Sequence, residues 1–250
     1  MSVYKILKKN YWHLKNKMRL VKSKKLFNDQ FELFNKLNSN KRFENLRSDI
    51  YPCLNDATSF TAFDAHYIYH PAWAARVLQA TKPDKHVDIS STLTFCAIAS
   101  AFTKIDFYDY RPANLTLSGL TMGKADVTNL HFEDNSIPSI SCMHTVEHIG
   151  LGRYGDPIDP DGDIKAMKEL KRVCAIGGDL LFVVPVGKKK LMFNAHRIYD
   201  AMEIVKEFSD FKLEEFSIVR DDNTFITNVG IAIAGEQNYG CGCFWFKKIK

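Results

Sequence analysis

Three aspartates each close a short apolar run. Asp88 stands with Ser90 and Ser91 in HVDISS, Asp109 in FYDYRP, and Asp126 with Val127 in KADVTNL. The step of about 20 residues from Asp88 to Asp109 suits an acid that accepts hydrogen bonds from ribose hydroxyls. His144 and His148 lie in MHTVEHIG, and His196 with Arg197 in FNAHRIYD. Imidazoles titrate near neutral pH, so these histidines are candidates for moving a proton. His196 and Arg197 suit an anionic or hydroxylated ligand. His66, His70 and Arg76, in HYIYHPAWAAR, come before the first strand and suit a lid.

Two further clusters look like metal sites and are not read as such. Asp156, Asp159, Asp161 and Asp163 are oxygen-rich, which a hard cation favours. Gly162 and the acids after it are misplaced for an EF-hand loop, and Asp161 or Asp163 suits a helix N-cap. Cys241 and Cys243 make an incomplete ligand set, and they read as two strand residues facing the same way. The assigned metal set is therefore none. Cys53, Cys96, Cys142 and Cys174 lie singly in apolar stretches and read as buried, reduced thiols.

Something must hold these residues in register. From Pro83 onward strand and helix signals alternate. Strands are expected at His86–Ser90, Ile105–Asp109, Leu120–Ala125, Ile140–Met143 and Asp179–Val186. Helices are expected at Leu93–Phe102 and at Gly162–Val173, the second ended by Gly177-Gly178. Pro112–Gly119 is too short for a full helix. The run DLLFVVPV is apolar throughout, as in a strand buried on both faces. Such alternation implies an α/β fold: a Rossmann-like, doubly wound, mostly parallel sheet of seven strands with helices on both faces. Phe211–Val219 and Gly240–Lys247 are expected to close it as an antiparallel hairpin. Ligands of such sheets bind beyond the carboxyl ends of the strands, where the candidate residues stand.

The 250 residues are 46% hydrophobic and 25% charged, with no internal repeat, which excludes a disordered or fibrous chain. No apolar run approaches the ~20 residues of a membrane span. The basic N-terminus is not followed by the pattern of a secretory signal, and the expected location is cytoplasmic. The net charge of +5 is unevenly placed: residues 1–48 hold thirteen Lys and Arg against three acids. This gives a basic helical extension, 1–48, before a mildly acidic domain, 49–250. In the extension Tyr4, Leu7, Tyr11, Leu14, Met18 and Val21 form one apolar stripe among lysines, and Phe27, Phe31 and Phe34 form a second helix. Such helices suit packing on the body or in a homo-oligomer, or docking peripherally at the inner face of an anionic membrane. The acidic body and the lack of a recognition motif argue against nucleic acid.

The run from His86 to Val186 resembles the class I S-adenosylmethionine-dependent methyltransferases. HVDISS, YDYRP, KADVTNLHFEDNSI, MHTVEHI and LKRVCAIGGDLLFVVP resemble five successive motifs of that family. The resemblance implies S-adenosylmethionine as cofactor. It would be held by Asp88, Ser90 and Ser91, with Asp109 on the ribose, Asp126 and the Val127 amide on adenine, and His144 lining the pocket. It also implies His148 as the catalytic base, with His144 the second catalytic candidate; from their places in the chain, His66, Arg76, His196 and Arg197 are the candidates for binding the acceptor. One departure is plain: the family's first turn is glycine-rich, and here Ser90, Ser91 and Thr92 occupy it. FDAHYIYHPAWAARVL, DPIDPDGD, FNAHRIYD and YGCGCF look more closely like an uncharacterised bacterial family that often accompanies surface-polysaccharide genes. That likeness implies an O-methyltransferase acting on a small carbohydrate or phosphorylated substrate, a sugar, nucleotide-sugar or phosphoramidate substituent, in capsule biosynthesis. The alternative is a degenerate, non-catalytic scaffold in polysaccharide assembly. A nicotinamide-dependent oxidoreductase would share the ribose acid, but G-x-G-x-x-G is missing.

Overall fold

The computed structural model describes residues 3–40 and 42–250, with the side chains of residues 3–10 and 13 left aside. The chain divides into two compact units, Met1–Ala62 and Phe63–Lys250.

The first unit is built on one helix, α1 (Val3–Leu37). It is continuous where two helices were expected, because no Gly or Pro interrupts residues 3–37. The Tyr4 and Leu7 side chains of the expected stripe lie outside the described residues. Tyr11, Leu14, Met18 and Val21 are exposed, as are Trp12, Leu20 and Leu26, so apolar groups are not confined to one stripe. Among the described residues no helix is long and apolar enough to cross a membrane.

The second unit opens with α2 (Ala65–Thr81), where Asp64 caps the Tyr67 amide and Lys82 ends the helix in a left-handed conformation. Strands and helices then alternate: β1 (Lys85–Ile89), α3 (Leu93–Ala99), β2 (Lys104–Asp109), β3 (Leu120–Lys124), β4 (Ile137–Met143), α4 (Gly162–Val173) and β5 (Cys174–Val186). A small hairpin follows, β6 (Lys190–Met192) and β7 (His196–Ile198), then α5 (Ala201–Glu207). The chain finishes with β8 (Phe211–Val219), β9 (Phe225–Ile226) and β10 (Gly240–Lys248).

The main sheet runs β3-β2-β1-β4-β5-β10-β8-β9. Its first five strands are parallel, and β10 runs antiparallel between β5 and β8. The expected seven strands are all present, and two-residue β9 adds an eighth at the edge. The small β6–β7 hairpin was not expected from the sequence. Order reverses between β1 and β4, which opens a crevice at their carboxyl ends.

Alternation along β5 separates two cores. Leu180, Phe182 and Val184 join α4 and α5 on one face. Leu181 and Val183 join α2 and α3 on the other. Each such fully buried side chain contributes about 1.5–3 kcal/mol, which is why an unbroken apolar run forms the central strand. The glycine pair acts differently from expectation. Helix α4 ends at Val173, and Gly177 (φ +78°) lies within β5. There the register against β4 jumps from Ile137–Cys174 to Ser139–Asp179, a bulge whose left-handed residue is most cheaply a glycine. Helix α3 stops at Ala99, short of Phe102. Cys96, Cys142, Cys174, Cys241 and Cys243 are buried free thiols, whereas Cys53 is exposed.

Candidate active site

At the switch in strand order the chain leaves β1 and β4 through two left-handed residues, Ser90 (φ +58°) and His144 (φ +54°). Such conformations cost about 1–2 kcal/mol outside glycine, so the surroundings must hold them. The Ser90 amide donates to Tyr108 O at 2.8 Å, and Ser90 O accepts from Thr145 Oγ1 at 2.7 Å. The His144 amide donates to Val183 O at 2.8 Å. The glycine-free turn thus adopts positive φ despite its side chain.

A cavity of about 340 Å³ opens above these turns, within the range of small-molecule sites. Ser90, Asp109, Asp126, Val127, His144 and His148 line it, so the structure brings together six of the candidate site residues. Asp109 Oδ1 accepts from the Arg111 amide at 2.7 Å, which fixes its carboxylate at the end of β2. Asp126 Oδ1 accepts from the Thr128 amide and hydroxyl at 2.8 and 2.7 Å. Tyr154 and Gly150 complete the far wall.

Asp88 and Ser91 lie beneath this surface. Asp88 is fully buried, accepts from the Ser91 amide at 2.9 Å, and bonds Ser141 Oγ. Burial raises its carboxyl to about 6, opposed by those hydrogen bonds. Ser91 Oγ accepts from the Met143 amide at 3.0 Å, tying the first turn to β4. His86 spans Ser139 and Ser141 at 2.8 Å each, and burial pushes it down to about 3.

His148 follows β4 in a short turn. Its Nδ1 faces Ala195 O at 2.6 Å, so Nδ1 carries the proton and Nε2 the lone pair. Burial, and the nearby Arg153 guanidinium, hold it below its usual range despite Glu147. His196 packs tilted against Tyr239 with ring centroids 4.9 Å apart, and its buried Nε2 has no partner among the described residues. Arg197 donates to Ile149 O at 2.7 Å and Pro160 O at 3.1 Å and pairs with Asp163 at 3.4 Å. It therefore braces the loop before α4. Arg76 is exposed and donates to Ala72 O on its own helix.

The acidic loop is divided among separate partners. Asp156 accepts from the amides of Gly150, Gly152 and Tyr154. Asp159 pairs with Lys165 at 2.6 Å, and Asp163 accepts from the Tyr199 hydroxyl at 3.0 Å. Asp161 occupies the N-cap position of α4 without a side-chain cap bond, so neither proposed capping carboxylate caps the helix.

Sequence reasoning missed Glu147, Tyr239 and the proximity of Cys241 to His144. Glu147 Oε1 is 2.8 Å from His144 Nδ1, and Cys241 Sγ is 3.2 Å from its Nε2. Burial alone would lower His144; Cys241 and Glu147 raise it above its ordinary value. Glu147 stands three residues after His144, a spacing visible in the sequence, but the pairing with Cys241 needs β10 beside β5.

The sheet order, the crevice and the antiparallel β10 invite comparison with solved structures. The 1,6-didemethyltoxoflavin-N1-methyltransferase of Burkholderia thailandensis, solved with that compound and S-adenosylhomocysteine, superposes with a TM-score of 0.52 at 12% identity, covering 72% of this chain and 79% of that one. The YcgJ protein of Bacillus subtilis gives a TM-score of 0.52 at 12% identity, covering 73% of this chain and 99% of its own. The chain has the class I methyltransferase fold. Residues 123–235 match a family described as a Caenorhabditis protein of unknown function, DUF268. No curated protein matches.

Proposed function

We propose that this chain is an S-adenosylmethionine-dependent O-methyltransferase acting on a sugar, nucleotide-sugar or phosphoramidate substituent of a surface polysaccharide. One observation carries the reading: Asp109, Asp126 and His148 face a single cavity at the carboxyl edge of the sheet. The cavity's residues fit the cofactor. Asp109 would accept from the ribose hydroxyls, Asp126 with the Val127 amide would hold adenine, and the Ser90 turn would meet the methionine end. When bound, S-adenosylmethionine supplies a methyl group on a sulfonium that leaves as a neutral thioether. The similar Burkholderia enzyme holds S-adenosylhomocysteine.

The protein's own task is to orient the acceptor and take its proton. His148 is suited to that task. Its Nδ1 proton is held by Ala195 O, and its depressed basicity leaves Nε2 unprotonated at neutral pH. The proton of an alcohol acceptor would pass to Nε2. A phosphate or phosphoramidate oxygen is already ionised and would need no base. His196, its ring 6.4 Å from that of His148, and Tyr239 next to it line a neighbouring pocket whose polar groups favour a hydroxylated acceptor, and the resemblance to polysaccharide-associated proteins points the same way. The scaffold alternative draws no support from the glycine-free turn, since Ser90 adopts the left-handed backbone there.

Calorimetry with S-adenosylhomocysteine should give one site per chain. Incubation with labelled cofactor and capsule precursors, followed by mass spectrometry, should locate the methyl on a glycan precursor. Absence of binding, or label on protein or nucleic acid alone, would overturn the proposal.

A further inference from the structure

His144 belongs to a second constellation besides the cavity wall. It meets Cys241 at the start of β10 and His66 in the first turn of α2. One donor atom from each of the three lies within 4.8 Å of the other two. Cys241 is fully buried and His144 nearly so, while His66 is partly open to solvent. We propose that His66, His144 and Cys241 bind a zinc ion, with the fourth tetrahedral position open to water or an anionic oxygen on the His66 side.

The donor chemistry selects the metal. Two imidazoles and one thiolate form a borderline-soft set that suits zinc and disfavours magnesium or calcium. Ligands at about 2.0–2.3 Å from tetrahedral zinc stand roughly 3.3–3.8 Å apart. The 3.2 Å between His144 Nε2 and Cys241 Sγ is close to that separation. The His66 donor atom lies within 4.8 Å of both and must move closer to complete the set.

The surroundings have the form of a metal site's support. Glu147 Oε1 accepts from His144 Nδ1 at 2.8 Å, which leaves Nε2, hydrogen-bonded to Cys241 Sγ, as the nitrogen to take a metal once the proton between them is lost. The other Glu147 oxygen is buried without a partner among the described residues. His70 is fully buried with Nδ1 against His66 O at 2.7 Å, so its Nε2 is a bare lone pair, also without a partner. Its ring lies 5.0 Å from that of His144. Buried polar atoms left unsatisfied in this way mark a place for an ion or its water. A thiol–imidazole hydrogen bond would account for His144 and Cys241 but not for His66. The His66 ring makes no hydrogen bond among the described residues, and it stacks between Tyr239 and His144 at 5.1 and 5.5 Å. Binding is balanced by one proton: the proton shared by Cys241 Sγ and His144 Nε2 goes to solvent as the sulfur–zinc and nitrogen–zinc bonds form, leaving a thiolate and two neutral imidazoles as ligands.

The test uses the full chain, stripped with a chelator and titrated with zinc alone. One zinc per chain should bind, with release of a proton. Cobalt in its place should give the near-ultraviolet absorption of a thiolate–cobalt bond. Cys241→Ser should abolish that band, whereas Cys243→Ser should retain it. His66→Ala should weaken zinc at least tenfold, and Glu147→Gln by about 10–100-fold. Failure of the stripped wild type to take up stoichiometric zinc would overturn the site, as would a thiolate band that survives Cys241→Ser. Should Cys241→Ser fail to fold, the wild-type titration and His66→Ala, at a partly exposed ring, still decide. S-adenosylhomocysteine binding is read separately, so either proposal can fail alone.

Discussion

Asp109 shows how one side chain is prepared for a ligand. The Arg111 amide takes one of its oxygens and fixes the carboxylate at the cavity rim. Asp109→Ala should weaken S-adenosylhomocysteine roughly tenfold or more, about 1.5–3 kcal/mol, by calorimetry. His148→Ala should lower kcat by ~10²–10⁴ with cofactor affinity nearly intact if the acceptor is an alcohol. Unchanged turnover would instead mark an already ionised acceptor. His86 allows a prediction about pH. Folding lowers its pKa from 6.5 to about 3, so its contribution is complete above pH 6.5 and is lost as pH falls through that window. Asp88 opposes this between about 4 and 6, because its raised carboxyl favours the fold at the acid end. In urea unfolding, His86→Gln should shrink the stability lost between pH 7 and pH 5 by about 2 kcal/mol.

At the scale of elements, the loop from β4 to α4 decides the shape of the cavity. Gly150 sits there at φ +78°, its amide donating to Asp156, and an added Cβ would overlap the Asp159 carbonyl oxygen. Two costs combine in Gly150→Ala, the left-handed backbone and the clash. The variant should lose roughly 2–4 kcal/mol of stability, read as a lower urea midpoint, together with weaker S-adenosylhomocysteine binding. Arg197 and Asp163 act on the same loop from the other side, joining it to α4. The sequence suggested Arg197 as a ligand contact because a cation near a strand end suits an anion. In the fold its guanidinium serves backbone carbonyls.

For the whole molecule, the division into units has a direct consequence. Residues 63–250 contain the complete sheet and both apolar cores. A fragment of these residues should fold by itself, with a single cooperative thermal transition and retained S-adenosylhomocysteine binding. Loss of cooperativity on removing residues 1–62 would show that the sheet unit is not self-sufficient.

Local pattern in the sequence determined the strand–helix alternation, the buried strand β5 and the acids at strand ends. Those depend on apolar periodicity and turn chemistry within a few residues, so the fold class and six residues of the cavity lining could be read directly. The bulge at Gly177 could not, because a glycine pair after a helix ordinarily signals its end, and only pairing with β4 keeps the chain extended there. Nor could the burial of Asp88 and Ser91, which turns on what packs over the first turn. The meeting of His66, His144 and Cys241 was beyond reach for the same reason. Antiparallel β10 inserts beside β5, and α2 packs across that face, so residues from three distant segments converge. Spacing along a chain carries no record of which strand ends become neighbours; that is settled only when the sheet closes and buries its apolar faces.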